Sequence, residues 1–190
     1  MTGFSEEATQ HSEDKRWTPL QLSVWGDLAL FDDDRDVRGV KLSLFDVKFT
    51  EQYGSDADAD VTGIVVCGQD NNIREMRGIA VGLVGVHPMR MRGISVGFLT
   101  GARDTVGIDL SVTGTISGDV RGVNIGGIAT NVENMYGFQL SWLMNAATTV
   151  RGVQLGLLNY CEEMNGIQIG FVNIIRENTI PILPLVNARF

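Results

Sequence analysis

The sequence predicts an all-β fold, a parallel β-solenoid of short 14–15-residue coils, and three observations carry that prediction. Glycine returns at a fixed period: Gly39, Gly63, Gly78, Gly93, Gly107, Gly122, Gly137, Gly152 and Gly166, spaced 15, 15, 14, 15, 15, 15 and 14 from Gly63 onward. Residues after each glycine alternate, apolar at positions one and three, as in Val40/Leu42, Ile79/Val81, Phe138/Leu140 and Ile167/Ile169; period two is a strand. Two glycines per coil would each cost about 1 kcal/mol in a helix interior, which disfavours helix. Short units at one period indicate a chain that stacks on itself and buries its core only against neighbouring turns.

The elements follow in chain order. Residues 1–16 are acidic and polar and read as a disordered, solvated tail; residues 17–190 form the single repeat domain. Pro19-Leu-Gln-Leu-Ser23-Val-Trp25 is a partial copy with proline in the glycine slot, and Trp17, Trp25 and Phe31 are expected to close the first coil. The run Phe31-Asp32-Asp33-Asp34-Arg35-Asp36 reads as a charged turn, and one long loop separates Gly39 from Gly63. Two residues before the glycine stands Val37, Val61, Met76, Met91, Val120, Met135, Val150 or Met164, with Thr105 out of step. Four residues after it comes a small residue: Ser43, Cys67, Gly82, Gly97, Ser111, Gly126, Ser141, Gly156 or Gly170. The segment Ile180-Pro-Ile-Leu-Pro-Leu-Val breaks the pattern, and its prolines lack the N–H donors of a further strand, so it reads as a C-terminal cap.

Facing is assigned by hydrophobicity. Positions one, three and five, such as Ile94, Val96 and Phe98 or Val153, Leu155 and Leu157, are expected inside. The opening glycines are expected at corners with positive φ. Position two then points outward, so that Asp109, Asn124, Gln139, Gln154 and Gln168 make a ladder on a flat face, the one candidate binding surface. The alternative is that these amides only hydrogen-bond up the stack. On this facing Leu155→Asp should be severe, and Gln154→Ala mild.

Bulk properties narrow the function. A net charge of −8 and a pI near 4.7 argue against nucleic acid and against an anionic membrane surface as partners. No window approaches the ~18 apolar residues of a spanning helix. The N-terminus has no signal-like apolar region, so the chain is cytoplasmic unless a signal was removed before residue 1, in which case it belongs to the cell envelope or is secreted. His11 and His87 pair with no nucleophile by spacing, and no phosphate-loop motif is present; no enzyme activity and no cofactor are expected. Asp56, Asp58 and Asp60 alternate like the start of a calcium loop but lack its sixth-place glycine and twelfth-place acid, leaving them only a weak metal candidate. Cys67 and Cys161, six coils apart, lie roughly 29 Å from one another at one strand spacing per coil, beyond bridging.

The pattern G-[VI]-Q-[LI]-G-[LF]-[LV]-N, sharpest in Gly152 to Asn159 and Gly166 to Asn173, resembles the glycine-rich surface repeats of bacterial cell-envelope proteins, including those named from leptospiral genomes. The resemblance spans about residues 17–190, although central units carry Ala80, Ser95 and Asp109 in place of Gln. It implies an exported, non-enzymatic surface protein. The resulting expectation is a non-catalytic structural or binding module presenting a repetitive flat β-face, for self-association or for recognition of a polysaccharide or surface. The second reading is an outer-membrane β-barrel, favoured by the alternation of Ile182, Pro184, Val186, Ala188 and Phe190. Uniform spacing and only 7% aromatic residues, too few for two interface girdles, weigh against it.

Overall fold

The computed structural model describes residues 17–25, 28–29, 35–46 and 59–190. They form one coiled sheet of eleven strands: β1 (Trp17–Trp25), β2 (Leu28–Ala29), β3 (Asp36–Asp46), β4 (Ala59–Asp70), β5 (Ile73–Val86), β6 (Arg90–Thr100), β7 (Asp104–Gly126), β8 (Ala129–Ser141), β9 (Met144–Leu155), β10 (Leu158–Ile175) and β11 (Ile182–Arg189). From β3 to β10 each strand pairs in parallel with the next, and β1 pairs in parallel with β3. Glycine stacks on glycine: Gly39 on Gly63, Gly63 on Gly78, Gly78 on Gly93, Gly93 on Gly107, Gly122 on Gly137, Gly137 on Gly152, and Gly152 on Gly166. The fold is therefore a parallel β-solenoid. It is not a barrel, because its neighbours run parallel and β2 and β11 are two separate edges.

The partial N-terminal copy stacks as a true coil, with Leu20 opposite Val40, Gln21 opposite Lys41, and Ser23 opposite Ser43. Its register slips between Thr18 and Leu20, where Pro19 holds the glycine slot. The far end differs from expectation. The proline-containing segment does form a strand, β11, which turns back and pairs antiparallel with β10. Pro184 is accommodated because β11 is an edge with one neighbour and its register is interrupted between Gly170 and Asn173. The tail 1–16 and Phe31 lie outside the described residues.

All nine opening glycines have positive φ, between 135° and 149°. The expectation of positive φ holds, although the glycines lie within strands. Close stacking adds a second reason for glycine, since a Cβ on Gly78, Gly93, Gly107, Gly122, Gly137, Gly152 or Gly166 would overlap the carbonyl of the glycine one coil below.

The predicted facing is inverted. Positions one, three and five point outward: Ile64, Val66, Ile79, Val96, Ile108, Phe98, Leu157 and Phe171 are all exposed. The interior takes the opposite parity. Val37, Val61, Met76, Met91, Val120, Met135, Val150 and Met164, two residues before each glycine, are buried, and so is position two. In the later coils the methionine and valine column packs against Val132, Ala147, Cys161 and Ile175. The physical reason is width. A coil of 15 residues is narrow, so the Met, Val and Gln side chains of its inner side fit only beside small residues at position four; a Cβ at Gly126 would already crowd the Ala129 carbonyl and Thr130.

Candidate functional site

The ladder residues Asp109, Asn124, Gln139, Gln154 and Gln168 are all buried, none more than 1% exposed. They cannot be a binding face, and the expectation of an outward ladder is corrected. Their partners are each other and the wall of the coil. Gln168 Nε2 donates to Gln154 Oε1 at 2.7 Å, and Gln154 Nε2 to Gln139 Oε1 at 2.9 Å. The second N–H of each amide reaches across the narrow interior to a carbonyl, Gln154 to Tyr160 and Gln168 to Ile174. A buried amide is tolerable when satisfied, and stacking supplies partners from Gln139 to Gln168, while, among the described residues, Asn124 Nδ2 and Gln168 Oε1 are left without one.

A second polar column runs beside it. Thr130 Oγ1 donates to Asn145 Oδ1 at 2.7 Å, Asn145 Nδ2 to Asn159 Oδ1 at 2.8 Å, and Asn159 Nδ2 to Asn173 Oδ1 at 2.8 Å. Asn145 and Asn159 also donate to the Leu155 and Ile169 carbonyls, which ties each coil to the next. The terminal Asn of the G-[VI]-Q-[LI]-G-[LF]-[LV]-N pattern was the available signal for this column.

Asp109 is the carboxylate of the amide column. Ser95 Oγ donates to its Oδ1 at 2.6 Å, and burial pushes its carboxyl above the ordinary range against the opposing effect of the Ser95, Thr100 and Ser117 hydroxyls. A raised folded value contributes stability that is fully present below the ordinary aspartate pKa and is lost as pH rises through the folded value. Asp109→Asn should therefore stabilise the protein at neutral pH, by about 1–2 kcal/mol, the scale of one poorly matched buried polar group. Denaturant melts of both forms check this. The advantage of the variant should shrink as pH falls toward the ordinary aspartate pKa.

The outward side presents a continuous apolar strip. Ile64 and Ile79 (45% and 43% exposed) lie in one row with Ile108 and Ile167, and Val66 and Val96 in a second that ends at Ile169, flanked by Leu83, Phe98, Trp142 and Phe171 at position five. Along the other margin stand Arg38, Arg77, Arg92, Arg121 and Arg151, one residue before their glycines and all exposed. Arg77 and Arg92 share Glu75 at 3.0 and 3.2 Å, and Arg121 and Arg151 cover the Tyr136 ring. Single exposed apolar residues are ordinary, whereas rows of them along one face are not.

The remaining chemistry-bearing residues are scattered. Cys67 and Cys161 are free and buried in different core clusters, and burial pushes both thiols up to about 12. His87 is half-buried, and its backbone N–H donates to the Asp70 carbonyl; His11 lies outside the described residues. Asp60 is held by Arg74 at 2.6 Å, while Asp56 and Asp58 fall outside the described residues. Among the described residues, no group of three His, Cys, Asp or Glu could hold a metal ion. No protein-family model, curated protein or solved structure matches the chain.

Proposed function

We propose that this chain is a non-catalytic structural module that associates with a second copy of itself through the flat apolar strip. The strip is the observation that carries the reading: Ile64, Ile79, Val96, Ile108 and Ile169 repeat along one outward face. Ten stacked coils at ~4.8 Å and a face of some five residues give roughly 43 by 15 Å, about 650 Å² per copy. Pairing would bury about 1,300 Å², within the standard range for specific interfaces. A second copy fits because it offers apolar rows of the same spacing by construction. The arginine margin supplies the polar rim such an interface needs.

Sedimentation of the purified chain without detergent tests this. A dimer is expected at micromolar concentration. Ile79→Lys, Val96→Lys and Ile108→Lys together should weaken it at least tenfold and leave the circular dichroism unchanged, because all three side chains point outward. A wild-type monomer at that concentration, or a triple variant that dimerises as well as its parent, overturns the reading. Recruitment of the monomer to lipid vesicles or polysaccharide would assign the strip to that partner instead.

A further inference from the structure

One cluster in the core is too costly for packing alone. Lys41 occupies position two of its coil, where Gln21, Val65, Ala80 and Ser95 on nearby coils are uncharged, and it is fully buried. Its Nζ lies 2.8 Å from Asp46 Oδ2 and 2.9 Å from Asp70 Oδ2, and both carboxylates are fully buried. Asp46 and Asp70 are register partners on β3 and β4. Burying an ion costs several kcal/mol even after relaxation, and a hydrophobic replacement is often no worse. Three ionisable groups meeting in a dry interior have the arrangement of a reaction, with a nucleophile, an electrophile and a base.

We propose that Lys41 and Asp70 condense into an intramolecular isopeptide bond, with Asp46 as the proton acceptor, so that β3 and β4 become covalently joined. The proposal is independent of self-association. Asp70 is the better electrophile of the two. Its Oδ1 accepts the Asn72 backbone N–H at 2.9 Å and its Oδ2 the Ser43 hydroxyl at 3.1 Å, donors placed to stabilise charge developing on the carboxyl. Asp46 Oδ1 accepts, among the described residues, from the Asn72 amide alone, at 3.4 Å. Burial also keeps the Asp70 carboxyl above its ordinary range, against the pull of Lys41, which favours the neutral acid over an unreactive carboxylate.

The resting state of Lys41 is the ammonium: burial lowers its pKa, but the adjacent Asp70 and Asp46 carboxylates more than offset this, and the reactive form is the one in which Asp70 has taken up the proton that its burial favours. A base in contact is therefore required, and Asp46 is that base. The ammonium gives one proton to the Asp46 carboxylate, and the freed amine attacks Asp70 Cγ. The new C–N bond forms as the C–O bond to the Asp70 hydroxyl breaks. A second proton leaves the nitrogen through Asp46 to that hydroxyl, which departs as water. Lys–NH₃⁺, Asp46–COO⁻ and Asp70–COOH become an amide, Asp46–COOH and water. No oxidant is needed. The step also removes the buried ion pair, leaving a neutral amide in its place.

Intact-mass spectrometry of the folded, then denatured, full chain decides the matter. The wild type should weigh one water less than its sequence. Trypsin should fail to cleave after Lys41, and fragmentation should show the peptide containing Lys41 joined to the one containing Asp70. Asp46→Asn and Lys41→Arg should both return to their full sequence masses. A folded wild type at full sequence mass overturns the proposal without recourse to either variant. A water loss confined to one peptide, as in a succinimide, or a link from Lys41 to Asp46, overturns it equally.

Discussion

Replacing Gln139, Gln154 and Gln168 together by lysine should leave no folded protein. All three side chains are at 0% exposure, stacked in one column, and bonded to one another at 2.7 and 2.9 Å. Three ammonium groups one strand spacing apart would lose their water without gaining a carboxylate. Each buried ion costs several kcal/mol, and the sum exceeds the 5–15 kcal/mol that holds a domain together. The expected result is insoluble material, or a circular dichroism spectrum without native β signal. Gln154→Ala is the milder test. It strips a donor from Gln139 Oε1 and from the Tyr160 carbonyl, and an acceptor from Gln168 Nε2, so about 2–4 kcal/mol should be lost in a denaturant melt. Leu155→Asp, half-exposed on the outward side, should cost only about 1 kcal/mol. A triple lysine variant with native stability would place the column in solvent.

That order of costs is the reverse of what hydrophobicity alone suggests, and the reason lies in particular residues. The solenoid was legible because Gly63 to Gly166 keep their period and the residues after them alternate. Parity was legible too, but it fixes only which residues share a side, not which side is inner. Apolar Ile, Val and Leu at positions one and three suggested an interior, and Gln154 and Gln168 a surface. Two signals pointed the other way. Met135, Val150 and Met164 have the parity of the glutamines, so one apolar column already belonged to that side. Small residues at Ser141, Gly156 and Gly170 marked it as the crowded side, since a Cβ on Gly156 would press on the Ser141 carbonyl and the Asn145 amide. Position two can face inward because a hydrogen-bonded amide is cheap to bury, and the small residues at position four leave room beside it for the methionine column. The Lys41, Asp46 and Asp70 cluster was not legible, because only the β3–β4 register brings Asp70 back to Lys41 across the long loop. The apolar strip followed from the facing and was lost with it.

Gly152→Ala should destabilise the protein by about 3–5 kcal/mol, far more than an ordinary glycine-to-alanine exchange. Two independent terms add. Gly152 sits at φ 143°, a region that costs an L-residue roughly 1–3 kcal/mol. The added Cβ also falls on the Gly137 carbonyl, a backbone atom fixed by parallel pairing on both sides. Relief means moving two coils apart, an overpacking strain of about 1–3 kcal/mol. The stack itself shows what happens when the slot is filled: at Pro19 the pairing with β3 slips, and that is absorbed where, among the described residues, only the two-residue β2 lies beyond β1. A central coil cannot. Val153→Ala, one residue on and outward, serves as the control and should cost under 1 kcal/mol in the same thermal melt. Equal losses for the two variants would mean that glycine is present for flexibility alone, and that neither φ nor the carbonyl contact constrains the coil.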